Sequence, residues 1–175
     1  FALEAAKVWS PDSPFLYTAV VELRDASGLL DRFEERFGVR VIESVGSEIR
    51  LNGGPVRIQG VCRYDEYAGF GVTVPRDTVR ADLARIKATG ANLIRTNYPV
   101  DPTVLDLADE LGLLVMEEVP LCWWRPGSMS GDANTAVIKA AREALQDLIR
   151  RDRNHPSIVI WSMANECETD CPVGI

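Results

Sequence analysis

The sequence predicts an α/β protein: the N-terminal half of a (β/α)8 barrel, preceded by the last strands of a β-sandwich. Three observations carry this. From residue 56 onward, strand and helix patterns alternate as βαβαβαβ, which implies a parallel sheet with helical crossovers. No strand is followed by G-x-G-x-x-G or a P-loop, which argues against an open nucleotide-binding sheet. Each strand of this region also ends in polar or charged residues, at Arg63–Glu66, Arg95–Asn97, Glu117–Glu118 and Asn165–Glu166. Barrel enzymes place their chemistry at those ends.

The first ~45 residues read as β structure. FLYTAVVEL (15–23) is apolar and β-branched, and RFEERFGVRVIE (32–43) alternates in part, with Asp25-Ala26-Ser27-Gly28 as the turn between them. One hairpin cannot bury a core alone, so residues 1–46 are expected to be the end of a sandwich and 47–175 the barrel portion. EIRLNGGPVRIQGV (48–61) reads as two short strands around Asn52-Gly53-Gly54. In PRDTVRADLARIKATG (75–90), Val79, Leu83 and Ile86 recur at helical spacing and Gly90 closes the helix. ANLIRT (91–96) is a short strand. Asp101 caps the next helix, Pro102 occupies its first turn, and Gly112 ends it. LLVMEEV (113–119) is the third strand. Asn134 is expected to cap a long helix, and SIVIWSM (157–163) is a continuous apolar strand, as burial on both faces requires. Four strands are half a barrel, and a whole one needs about 250 residues. The chain, which begins at Phe1, is therefore expected to be a fragment.

Composition narrows the chemistry. Of 175 residues, 26 are acidic and 19 are Lys or Arg, for a formal net charge of −7. That balance offers no electrostatic footprint for nucleic acid or an anionic membrane. No apolar run approaches the roughly 20 residues of a membrane span, and no signal peptide is visible. His155 is the only histidine, which excludes a histidine-rich metal site. Acid–base work near neutral pH then falls to carboxylates. The four cysteines, Cys62, Cys122, Cys167 and Cys171, lack zinc-ribbon or thioredoxin spacing. Free thiols are the expectation, and a cytoplasmic compartment over a secreted one. A cysteine-ligated metal protein is a weaker alternative, tested by elemental analysis.

The strongest local signal is NHPSIVIWSMANE (154–166), a strand running straight into Asn165 and Glu166. A carboxylate there either faces a bound polyol or pairs with a scaffold arginine such as Arg95. Trp123 and Trp124 follow the third strand, placed either to stack on sugar or to plug the loop. Arg142, Arg150, Arg151 and Arg153 read as a solvated helix face.

RNHPSIVIWSMANE (153–166) resembles the acid/base signature of glycoside hydrolase family 2, which includes β-galactosidases, β-glucuronidases and β-mannosidases. WSPDSPFLYTAVVEL (9–23) and FGVR (37–40) resemble the end of the immunoglobulin-like domain that precedes the family's catalytic barrel. RLNGGPVRIQGVCRYDE (50–66), GANLIRTNYP (90–99) and DELGLLVMEEVP (109–120) are similar to its first three barrel strands, in order. The resemblance implies a retaining exo-β-glycosidase that needs no cofactor or metal and cleaves terminal β-linked sugars by double displacement. It assigns Glu166 as general acid/base, Asn165 as ligand of the sugar 2-hydroxyl, and Arg95 as support for the nucleophile. In the resemblance Asn97 lines the sugar pocket; the strand-end position of Glu118 suits it to the pocket floor, and the mouth position of Trp123 suits it to sugar contact. Glu166 must give a proton to the departing oxygen and later take one from water.

Two positions depart from the family pattern. Tyr64 stands where a histidine is usual, and Thr96-Asn97-Tyr98-Pro99 is shorter than the usual second-strand motif. Both bear on which sugar is bound. The family takes its nucleophile from a glutamate of the seventh strand, which this chain does not reach. Glu117 or Glu118 is the substitute to consider. The expected partners are a carbohydrate and the remainder of the barrel, with homo-oligomerisation open. The alternative from another class is a non-catalytic carbohydrate-binding or assembly module.

Overall fold

A computed structural model describes residues 3–125 and 131–167. The N-terminal part begins with an antiparallel hairpin of β1 (Tyr17–Asp25) and β2 (Gly28–Phe37). Its turn is closed by Asp25, whose carboxylate accepts from the Ser27 N–H at 2.7 Å. β3 (Ile42–Val45), β4 (Glu48–Leu51) and β5 (Gly54–Pro55) form a small antiparallel sheet. Then come β6 (Gly60–Arg63), α1 (Arg76–Ala88), β7 (Leu93–Thr96), α2 (Pro102–Leu111), β8 (Leu114–Glu118), α3 (Gly131–Asp152) and β9 (Ile158–Ser162). β6, β7, β8 and β9 form one parallel sheet in that spatial order. A doubly wound sheet reverses its strand order at a switch point. Sequential order without reversal is how a barrel grows. Among the described residues no helix is long and apolar enough to cross a membrane.

Several boundaries differ from expectation. The 32–43 segment is not one strand. β2 stops at Phe37, and Gly38 lies so close to Pro156 that an added Cβ would stand 2.6 Å from its Cγ. The chain bends there, and β3 begins only at Ile42. Residues 48–61 hold parts of three strands rather than two, because β5 pairs back on β4 while β6 joins the parallel sheet. α3 starts at Gly131, so Asn134 lies inside the helix rather than capping it. α2 follows the sequence closely: Asp101 accepts from the Thr103 N–H at 2.8 Å, and Gly112 takes the left-handed position with φ 68°.

Two cores hold these layers together. Between sheet and helices pack Val79, Leu83, Ile94, Val104, Leu105, Leu107, Val115 and Ile158. On the other face of the sheet, Leu93 and Leu114 meet Trp9 and Leu51 of the N-terminal part. Trp9 is fully buried, and its indole N–H donates to the Asp109 carbonyl at 2.9 Å. Arg40 donates to the carbonyls of Pro156 and Ile158 at 2.8 and 2.6 Å, next to the start of β9. The N-terminal ends of the strands are thus sealed, and their C-terminal ends stay open.

Candidate active site

The open end is organised by alternation along the strands. On β7, Thr96 is buried towards the helices, while Arg95 lies on the inner face. On β8, Glu117 and Glu118 are both fully buried but on opposite faces. Glu118 accepts from Arg95 Nε at 3.2 Å and Nη2 at 2.8 Å, from Ser162 Oγ at 2.7 Å and from Asn97 Nδ2 at 3.4 Å. A buried carboxylate requires such partners. In return, the hydrogen bond to Glu118 holds the Arg95 guanidinium above its ordinary range.

Arg95 also reaches β9. Its Nη2 donates to Asn165 Oδ1 at 2.6 Å. That contact orients the amide, so Asn165 Nδ2 faces the Tyr98 hydroxyl and Cys122 Sγ, each at 3.2 Å. The Tyr98 phenol is raised above its ordinary range, first by its hydrogen bond with Cys122. The peptide bond between Asn97 and Tyr98 is cis. Beyond the regular strands, the β8 loop stays attached to the end of β9. Asn165 N–H donates to the Leu121 carbonyl at 2.7 Å, and Trp123 N–H to the Asn165 carbonyl at 3.0 Å. Glu166 is exposed at the mouth, and the Trp123 indole N–H donates to its Oε2.

The sequence-predicted residues therefore gather at one end. Arg95, Asn97, Glu118 and Asn165 share a single hydrogen-bonded cluster, and Glu166 with Trp123 stands beside it. Arg95 pairs with Glu118 and not with Glu166. The two tryptophans separate: Trp124 is buried, whereas Trp123 is 70% exposed. A cleft of about 430 Å³ next to Asn97 is lined by Tyr64, Asp65, Glu66 and Tyr98, so both departures from the family pattern sit on one wall.

Glu117 stands apart from this mouth, facing α3. Arg151 Nη2 lies 3.4 Å from its Oε1, while Arg151 Nε holds Asp152 at 2.8 Å. Burial, then the neighbouring Asp152 charge, pushes Glu117 from its ordinary 4.5 up to about 8, against the opposing pull of Arg151. Arg151 is accordingly not part of a merely solvated helix face, since it braces the buried side chains of Glu117 and Asp152 and the Val100 carbonyl. His155 sits before the start of β9, with Nδ1 2.6 Å from Asp109 Oδ2. Burial would lower its pKa, but the Asp109 hydrogen bond and charge prevail and raise it. The sole imidazole thus lies at the opposite end of the strand from Glu166.

Cys62, Cys122 and Cys167 are free thiols, and Cys171 and Pro126 lie outside the described residues. Among the described residues, no group of three His, Cys, Asp or Glu side chains is arranged to hold a metal ion. Sequence reasoning named Tyr98 only within the departing second-strand motif, and missed Cys122 and Ser162 as site residues. Ser162 had a signal: it shares the inner face with Glu118 on the neighbouring strand. Cys122 had none, because its place depends on the loop path.

Comparison with known proteins bears on the family and the fold. Residues 42–173 match the model of the glycosyl hydrolases family 2 TIM barrel domain, and residues 1–40 match glycosyl hydrolases family 2. A β-galacturonidase from Eisenbergiella tayi, solved with galacturonate, superposes with a TM-score of 0.88 at 39% identity, covering 99% of this chain and 31% of that one. A β-galactosidase of Alteromonas mediterranea is 36% identical over 92% of this chain and 16% of its own length. A β-glucuronidase of Streptococcus agalactiae is 35% identical over 94% and 29%. The chain thus spans less than a third of the length of these relatives. With strand order and family match in agreement, the chain belongs to glycosyl hydrolase family 2, as the first half of its catalytic barrel and the strands before it.

Proposed function

We propose that this chain carries the general acid/base of a retaining exo-β-glycosidase, Glu166, acting on terminal β-linked uronides or galactosides. The observation that carries the reading is the exposed Glu166 carboxylate at the strand-end mouth, next in sequence to an Asn165 already gripped by the Arg95–Glu118 pair. The nucleophile is a carboxylate of the remaining barrel strands. It attacks the anomeric carbon, the bond to the glycosidic oxygen breaks, and that oxygen takes both the bonding electrons and the proton of Glu166. In the second half, water gives a proton to the Glu166 carboxylate and its oxygen displaces the nucleophile. Asn165 Nδ2 is the donor offered to the sugar 2-hydroxyl, a contact that strengthens as the ring gains positive charge. Arg95 fixes that amide and supports the nucleophile. Asn97, on the wall with Tyr64, lines the glycone side, Glu118 forms the floor, and Trp123 contacts sugar.

The test is Glu166→Ala in the whole protein. Hydrolysis of substrates with poor leaving groups should fall by roughly 10²–10⁴, the usual worth of a general acid. Substrates with activated leaving groups should lose far less, and added azide should restore part of their turnover. Equal losses for all leaving groups, without azide rescue, refute the assignment. A panel of aryl β-glycosides assigns the glycone.

A further inference from the structure

The β8 loop brings one exposed aromatic ring directly onto the proposed acid/base. Trp123 and Glu166 both adopt left-handed backbone conformations, with φ of 53° and 51°. Bulky residues rarely accept that region, and sparsely populated conformations cluster where a side chain must be aimed. Trp123 is 70% exposed, so burial of its ring does not account for the conformation. Its neighbour Trp124 is the buried one of the pair. What the backbone arrangement achieves is a cross-loop contact. The ladder from Asn165 N–H to the Leu121 carbonyl, and from Trp123 N–H to the Asn165 carbonyl, sets the two segments side by side. The indole N–H then meets Glu166 Oε2.

We propose that Trp123 is the positioning residue of Glu166 and that its ring forms the platform for the leaving group. The inference rests on the reading of Glu166 as the acid/base. An indole N–H is a donor only. It can bond the carboxylate, and it can bond the carbonyl oxygen of the neutral acid, but it cannot accept the acid's proton. With Oε2 occupied by this donor, the proton of neutral Glu166 resides on Oε1. Oε1 is then the oxygen that addresses the glycosidic oxygen in the first step and water in the second. The same indole leaves its face open to solvent beside the departing group. A flat aglycone, aromatic or a sugar face, is the chemistry that such a surface accepts.

The test compares Trp123→Phe, which keeps a ring but removes the N–H, with Trp123→Ala in the whole protein. For Trp123→Phe, kcat/KM on poor leaving groups should fall roughly tenfold more than on activated aryl glycosides, the worth of one hydrogen bond to a charged group. Trp123→Ala should show the same split and, in addition, a several-fold rise in KM for aryl over alkyl aglycones. Equal losses across leaving groups in Trp123→Phe, or no loss, overturn the proposal. Glu166→Gln separates the two readings. If it spares poor leaving groups, the acid assignment itself fails; if it abolishes them while Trp123→Phe does not discriminate, only this inference fails. A second measurement needs no turnover. In the whole protein, the ¹⁵N-indole signal of Trp123 should move as pH is lowered through carboxyl protonation, and should not do so in Glu166→Gln. A Trp123 signal indifferent to that substitution equally overturns the proposal.

Discussion

Arg95 is the residue on which the open end converges. It has one carboxylate to balance and one amide to orient, and it does both with the same nitrogen, Nη2. Glu118 is fully buried, so removing its cation leaves an uncompensated charge in the barrel interior. Such a loss costs about 3–5 kcal/mol where both partners are dry, and Arg95 retains 28% exposure, which places the effect near about 3 kcal/mol. Arg95→Ala is therefore expected to lower stability by about that amount in urea titration. Adding Glu118→Gln to it should recover a substantial part, because the neutral amide tolerates burial better. A double variant no more stable than Arg95→Ala contradicts the buried-charge explanation. The candidate residues were legible because strand ends follow from apolar runs: once 91–96 and 157–163 are strands, Arg95 and Asn165 must emerge at one mouth. The contacts of Asn165 with Tyr98 and Cys122 were not legible, since a loop's path is set by tertiary contacts that no local pattern records.

At the scale of the element, β8 shows how two adjacent glutamates acquire unrelated tasks. Period-2 alternation sends Glu118 to the mouth and Glu117 to the helix layer, where Arg151 and Asp152 await it. The neutral form of Glu117 is favoured in the fold, from an ordinary 4.5 to about 8. The folded chain therefore holds a proton that the unfolded chain has released. The resulting stability is full below pH 4.5 and is lost as pH rises towards about 8, with a slope of up to about 1.4 kcal/mol per pH unit. His155, also raised, acts in the same sense: its contribution is full below pH 6.5 and fades as pH climbs through its folded value. Denaturant midpoints should accordingly fall between pH 5 and pH 8.5, more shallowly in Glu117→Gln, with the residual slope removed by His155→Asn. A wild-type profile that is flat or rising over this window would falsify the assignment. The sequence marked Glu117 as a strand-end acid and, with Glu118, as a substitute nucleophile to consider; its actual environment depends on Arg151, whose helical position reads as solvent-facing. The start of α3 differs from expectation for a related reason. Asn134 is a good capping residue, but nothing local forbids the helix from beginning at Gly131.

Across the whole molecule, the N-terminal strands and the half barrel share one core rather than merely touching. Trp9 lies among Leu51, Leu93 and Leu114, Arg40 grips the residues before and within β9, and Pro11 passes so close to Gly112 that an added Cβ would stand 2.2 Å from its carbonyl oxygen. The segment from Val8 to Ser10 is therefore held from both sides, and Trp9 N–H closes onto the Val39 carbonyl at 2.8 Å. The β1–β2 hairpin differs. Val20, Val21, Leu23, Leu29, Leu30 and Phe33 are exposed within these 175 residues, so in this chain taken by itself, without the sandwich strands expected to cover them, the ladder hydrogen bonds lack the packing that makes a sheet stable. Amide protection reports this division directly, because exchange through local opening reflects local packing while core amides wait for global unfolding. The Trp9 amide should exchange with the slowest amides of β7 and β8, and those of Val20 and Val21 much earlier. Trp9→Ala should cost about 3–5 kcal/mol and accelerate the β7 and β8 amides to the same degree as its own surroundings, since the core it vacates is theirs. If β7 and β8 keep wild-type protection in Trp9→Ala while residues 8–16 lose theirs, the two parts unfold separately, and the seal at the closed end of the strands is a surface contact instead of a shared core.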